Sequence, residues 1–330
     1  MTISAFALIL GLSALALAAF TQIMTRRIEA RYPVLGVLAP VVGGHVHVVI
    51  VEAKAPWRGD VVLIHGASGN CADMIGILAP PLSLLGFRVF AVDRPGHGWS
   101  SRLAGRAMAS PQRQAQVLRA ALQNLGVRSA LIVGHSLGAV SALALALDAP
   151  ESVDGLVLLS PVSHPWPGGV SWYYDLAALP LLGAAFCRLF ALPGGLMRLN
   201  AGVAAVFAPN RVPENFIEAT RVPLLLRPAH FEANAQDVAA TKKHVTALCR
   251  RYREIDAPTN IVSGDHDAIV YTHIHSLGCQ RDIKGAALKL LAGVGHSPHH
   301  TDPHAVIEAI VDVARRAMRA TASSAPPLLS

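Results

Sequence analysis

Apolar positions fall into three distinct patterns along the chain. Residues 3–24 run for 22 positions without a charge (ISAFALILGLSALALAAFTQIM). As a helix rising 1.5 Å per residue, this segment is about 33 Å long, the thickness of a bilayer core. From residue 45 onward, short apolar runs alternate with longer stretches of helical character. The runs are 45–51, 61–65, 88–93, 130–134, 155–160 and 260–264, with Ala287–Leu291 as a fainter seventh. Several are apolar almost throughout, as in strands covered on both faces. The alternation therefore predicts an α/β fold with a mostly parallel central sheet and helices on both faces. Ser110 followed by Pro111 reads as an N-cap and first helical residue, opening a helix to about Leu125 before Gly126.

The third pattern lies at 162–257, where no strand is evident. Prolines such as Pro165, Pro180, Pro209 and Pro223 punctuate helical stretches, notably 231–255. A connection this long between two strands predicts a helical insertion over the sheet. Its apolar stretches, 176–192 and 223–226, suit packing on the main body, a greasy cavity wall or contact with lipid. The chain is thus expected to comprise an anchor and juxtamembrane segment (1–31), the first part of an α/β core (32–161), a helical cap (162–257), the second part of the core (258–319) and a flexible tail (320–330).

Charge refines the N-terminus. No Lys or Arg precedes the apolar run, whereas Arg26, Arg27 and Arg31 follow it. By the positive-inside rule this predicts an uncleaved single-pass anchor with the body on the cytoplasmic side. The alternative is a signal peptide cleaved near Ala16-Leu17-Ala18, leaving a secreted or periplasmic protein. Net charge is +7, yet the basic residues are scattered and aromatics make up 5% of the chain, so no nucleic-acid partner is expected. The four cysteines, Cys71, Cys187, Cys249 and Cys279, lie far apart without a C-x-x-C pair, and read as buried free thiols.

Candidate chemistry begins at Gly134-His135-Ser136-Leu137-Gly138, between the run ending at Val133 and the helical stretch 139–147. A serine flanked by glycines at a strand-to-helix turn is a nucleophile elbow, which makes Ser136 the expected nucleophile. A hydroxyl needs a base, and the base needs a third group to fix its tautomer. The acid candidates are Asp265 and Asp267 in Gly264-Asp265-His266-Asp267; the base candidate is His296 in Gly293-Val294-Gly295-His296. Each follows a strand, the edge where open α/β sheets carry their sites. His299, His300 and His304 crowd behind His296 without carboxylates or cysteines at ligand spacing, and read as solvated loop histidines. Oxyanion donors are expected from the Leu137 N–H, at a helix N-terminus, and the Ala67 N–H in His65-Gly66-Ala67-Ser68-Gly69-Asn70.

Four separated motifs in this order resemble the α/β-hydrolase superfamily over roughly residues 45–318. They are His65-Gly66-Ala67, the loop Asp93-Arg94-Pro95-Gly96-His97-Gly98-Trp99-Ser100, the elbow at Ser136, and the acid and histidine near the end. The resemblance implies that the acid is Asp267, three residues after the glycine ending its strand, and that 162–257 is the superfamily's cap. Loop 93–100 is implied to shape the site without taking part in catalysis. Members that open epoxides or remove halide carry aspartate at the elbow, so Ser136 points instead to an esterase, a lipase or a carbon–carbon hydrolase. One departure is Tyr271, directly after Ile269-Val270, where the family commonly has a proline nearby. The expected substrate is a small ester or lipid-like molecule cleaved through an acyl-enzyme, and the triad requires no metal or organic cofactor. Hydrolysis of a carbon–carbon bond, acyl transfer to an alcohol and a non-catalytic binding role are the competing readings.

Overall fold

The computed structural model describes residues 3–324. Eight strands form one sheet in the order β1-β2-β4-β3-β5-β6-β7-β8. They are β1 (Val37–Val41), β2 (Gly44–Val51), β3 (Gly59–Ile64), β4 (Phe87–Val92), β5 (Ala130–His135), β6 (Val153–Leu159), β7 (Thr259–Gly264) and β8 (Ala287–Leu291). β2 pairs antiparallel with both β1 and β4, and all other neighbours pair parallel. The α/β class with a mostly parallel sheet is therefore what the chain adopts.

Crossover helices α2 (Ala72–Leu84), α3 (Pro111–Asn124) and α4 (Leu137–Asp148) cover the sheet, together with α10 (Ser276–Asp282) and the C-terminal α12 (Pro303–Ser324). Strand side chains alternate between the two faces. In β3, Val62 and Ile64 pack with α3 and α4, while Val61 and Leu63 pack with α2 and α12. α4 is buried on every side from Leu137 to Leu147, because a further layer of helices lies over it. Ser110 caps α3 as its sequence predicts, accepting from the Arg113 N–H at 3.4 Å.

That further layer is the strandless segment between β6 and β7. It contains α5 (Trp172–Ala177), α6 (Leu182–Phe186), α7 (Leu192–Phe207), α8 (Phe216–Ala219) and α9 (Pro228–Leu248). One turn of π-helix, Cys187–Ala191, joins α6 to α7. The helix expected at 231–255 begins three residues earlier and ends at Leu248, where the chain tightens into a 3₁₀ segment, Cys249–Glu254.

Two expectations need correction. β1 was not foreseen: it is a short edge strand containing Pro40, and only Ala39 is fully buried, so it lacks the apolar run that marks central strands. Second, α12 runs to Ser324, five residues into the segment expected to be unstructured from Ala320. Ala, Thr and Ser continue the helix there, and the first breaker is Pro326. The rest of that expected tail, 325–330, lies outside the described residues. At the other end α1 (Ile3–Arg31) extends the apolar run by two further turns.

Candidate active site

Ser136 joins β5 to α4 with φ 51° and ψ −118°, a conformation costly for a residue with a Cβ. Its surroundings hold it there. The Ser136 N–H donates to the Leu159 carbonyl at 2.9 Å, and its own carbonyl accepts from the Ala139 and Val162 N–H groups at 3.1 Å. The flanking glycines are required by space: a Cβ on Gly138 would lie 2.3 Å from the Ile64 carbonyl oxygen, and one on Gly134 would lie 2.7 Å from Ala139 Cα. α4 thus starts in direct contact with the end of β3, and the serine hydroxyl stands above the sheet edge.

The structure brings Ser136, His296 and Asp267 together. Ser136 Oγ–H donates to His296 Nε2 at 3.0 Å, and His296 Nδ1–H donates to Asp267 Oδ2 at 2.8 Å. The other Asp267 oxygen accepts from the Ile269 and Val270 N–H groups, both at 2.9 Å, so the turn ahead of Tyr271 closes on the carboxylate itself. Burial of Asp267 favours its neutral form, but the hydrogen bond and charge of His296 and the two N–H groups outweigh this, holding the carboxyl below its usual range. Asp265 faces elsewhere and accepts from the Gly293 N–H at 2.7 Å. At Gly264 a Cβ would meet the Val294 carbonyl oxygen at 1.9 Å. The loops after β7 and β8 cross in contact at that point, and residue 267 is the one carried to His296.

The loop after β3 lies against the elbow. A Cβ on Gly66 would sit 3.0 Å from Ser136 Cβ, and no acceptor among the described residues takes the Ala67 or Leu137 N–H. Arg94, with none of its surface exposed, fixes this loop from beneath. Its guanidinium donates to the His65 and Gly66 carbonyls at 3.2 and 3.3 Å and to Asp237 of α9 at 2.8 Å. Arg102 approaches the other Asp237 oxygen at 2.8 Å. The helical layer between β6 and β7 reaches the same loop at Ser68, itself at φ 60°. The Ser68 N–H donates to Asn234 Oδ1 at 2.7 Å, and its hydroxyl lies 3.3 Å from the Tyr174 hydroxyl. Burial pushes Tyr174 up to about 12, so it stays a neutral hydroxyl. Sequence reasoning missed Asn234, Tyr174 and Asp237, which carry no local motif and meet the loop only through the fold.

The histidines behind His296 also depart from expectation. His304 is solvated, but His299 is fully buried and His300 mostly so, because Pro298 opens a short helix, α11 (Pro298–Thr301), that turns both inward. Their Nε2–H groups donate to Asp73 at 3.3 and 3.0 Å. His135, adjacent to Ser136, donates from Nε2 to the His296 carbonyl at 3.0 Å, and its Nδ1 lies 3.8 Å from Asp73. This cluster fastens the backbone of His296 to the start of α2.

Among the described residues, donor atoms that could close on a cation lie within 4.8 Å of one another in two places, Asp73/His299/His300 and His47/Cys71/Asp93. In both, the carboxylate already accepts from its neighbours. Asp93 accepts from His47 Nδ1–H at 2.6 Å and from the Cys71 and Trp99 N–H groups at 2.7 and 2.8 Å. That set of bonds folds loop 93–100 around the Asp93 side chain.

Two measurements check this account. Burial pulls His65 down to about 4 and holds His97, His135 and His230 well below the ordinary imidazole range. The unfolded chain, with histidines near 6.5, then binds more protons than the folded one, so stability falls as pH drops through 6.5 toward 4. His65 alone removes on the order of 2 kcal/mol between pH 7.5 and 5; a urea midpoint that stays constant over that range would contradict the burial of neutral imidazoles. Replacing Arg94 by Met removes one of the two arginines on buried Asp237 and frees two loop carbonyls, with an expected loss of about 3 kcal/mol in the same assay.

Comparison with known proteins agrees with this architecture. A 2-hydroxy-6-oxononadienedioate/2-hydroxy-6-oxononatrienedioate hydrolase of Cupriavidus pinatubonensis is 27% identical over 243 residues, 73% of this chain and 77% of that protein. Among solved structures, a thermophilic esterase from Thermogutta terrifontis matches with a TM-score of 0.68 at 18% identity, over 85% of this chain and 97% of that one. A meta-cleavage product hydrolase from Pseudomonas fluorescens matches at 0.61 with 19% identity, over 86% and 98%. These two structural likenesses establish a shared fold. The family model described as the alpha/beta hydrolase fold matches residues 60–303, and the chain belongs to that family.

Proposed function

We propose that the protein is a membrane-tethered serine hydrolase of carboxylic esters with lipophilic acyl groups. The observation that carries this reading is the unbroken hydrogen-bonded run from the Ser136 hydroxyl through His296 to Asp267. His296 Nε2 takes the hydroxyl proton as Oγ attacks the ester carbonyl, while Asp267 keeps the other ring nitrogen protonated and balances the imidazolium. The Ala67 and Leu137 N–H groups receive the oxyanion, aided by the N-terminus of α4. His296 then protonates the leaving alcohol, and a water activated by the same imidazole releases the acid.

A second reading, hydrolysis of a carbon–carbon bond in a dienedioate, is favoured by the names of relatives such as the Cupriavidus protein. Such a substrate is a dianion, and Arg94, the arginine touching the loop beside Ser136, has none of its surface exposed and donates to Asp237 at 2.8 Å. An uncharged ester suits this setting better. For the tether, α1 has 29 residues, and its most apolar window is not buried by any other part of the chain. A helix of this length and composition suits an anchor, and Arg26, Arg27 and Arg31 at its end favour a cytoplasmic body.

Incubation with a fluorophosphonate should label the protein and not the Ser136→Ala variant, and the variant should lose ester turnover on the order of 10⁴-fold or more. Equal labelling of both proteins would remove Ser136 as nucleophile, and cleavage of a dienedioate in preference to esters would establish the second reading. The tether predicts that the protein stays in the membrane pellet after carbonate extraction; release into the supernatant would contradict it.

A further inference from the structure

The cap presents an unusual surface beside α1. Leu181 and Met197 are each 88% exposed, Trp172 70%, Leu182 65% and Phe190 50%. These positions lie on α5, the α5–α6 turn and the continuous helix 182–207. The rings are contiguous: Trp172 is 6.5 Å from Phe186, which is 6.1 Å from Phe190. Leu181 forms the tip of the turn at φ 59°, a backbone state that disfavours branched side chains and here thrusts a leucine outward. Exposed apolar surface of this extent marks an interaction site.

What covers it follows from the chain next to it. The end of α1 is docked on the same cap: Ile28 and Tyr32 are buried against Leu192, Leu224 and Leu226, with Met24 packed alongside. α1 also contacts the π-turn that carries Phe190. Ion pairs lock the junction, Arg31 to Glu218 at 2.7 Å and Arg227 to Glu29 at 3.2 Å. The apolar run of α1 ends at Met24, so the cap surface begins within about one turn of the point where the helix leaves the bilayer. Exposed Arg26 and Arg27 follow that point on α1, and exposed Arg188 and Arg198 lie on the cap's helix 182–207, suiting lipid phosphates.

We propose that the α5–α7 face of the cap is a lipid-binding surface, seated in the interfacial layer of the anionic membrane that α1 spans, and that substrate reaches Ser136 from the bilayer beneath it. The proposal rests on the anchored-esterase reading and adds the route of entry. α5 links the two ends of that route, since Trp172 points outward while Tyr174, two residues on, lies against Ser68 beside the elbow.

The test uses the full chain in nanodiscs of phosphatidylcholine and phosphatidylglycerol. An environment-sensitive fluorophore is placed on Leu181→Cys or, as control, on Trp57→Cys at the opposite sheet edge; three native cysteines are buried and Cys249 is partly so. Lipids brominated near the glycerol backbone should quench the label at 181 and leave that at 57 unchanged. Equal response at both positions would overturn the proposal. In a second arm, Leu181→Asp combined with Phe190→Asp should lower turnover of a long-chain ester embedded in the disc by about tenfold or more. Turnover of a water-soluble short-chain ester should stay unchanged, and an equal effect on both substrates would also overturn it. Loss of the anchored-esterase reading is distinguishable: failure of the chain to enter discs removes the tether and this surface with it, whereas absence of short-ester turnover removes the esterase and leaves the quenching result standing.

Discussion

The backbone at Ser136 is the constraint around which the rest is arranged. A serine held at φ 51° persists only where packing over-determines it, and here that packing is backbone against backbone. Helix α4 begins in contact with the end of β3, and the loop after β3 touches the serine from the other side. A methyl group on either flanking glycine would lie within 3 Å of backbone atoms. The hydroxyl position is consequently set by the sheet, and the imidazole is brought to it by a second crossing of loops at Gly264.

Around this point the protein buries charge and keeps imidazoles neutral. Arg94 donates to two carbonyls, a glutamine and Asp237, and its own backbone N–H donates to His65 Nε2 at 3.0 Å. A lone pair that accepts such a bond resists protonation, in step with the burial that lowers His65. Asp73 works in the opposite sense: burial disfavours its charge, but donors from His299 and His300 keep it ionised. Charged groups thus enter the interior only where donors of the right sense meet them.

The sequence revealed these features unevenly, for physical reasons. The strand-and-helix alternation and the positions of Ser136, His296 and Asp267 were legible because each sits directly after an apolar run, where a local pattern marks the sheet edge. β1 was not, since an edge strand with Pro40 needs no apolar run. His299 and His300 looked solvated because their partner Asp73 lies 226 and 227 residues away. Similarly, nothing near Asp237 advertises that it meets Arg94 across 143 positions. Pairings of this kind are decided by the fold and leave no periodic trace.

The bond between Arg94 and Asp237 has a mechanical implication. It joins the floor of the loop beside Ser136 to α9, and Arg102 and Asn234 add two more fastenings along the same helix. One side of the roof is therefore bolted through buried charge and cannot lift without exposing it. The opposite eave is joined differently, since α5, α6 and the π-turn rest on α9 largely through apolar contacts at Ala177, Cys187, Ala191 and Ala235. Parting that eave would separate apolar surfaces, whereas parting the other would lay bare a carboxylate and its two arginines.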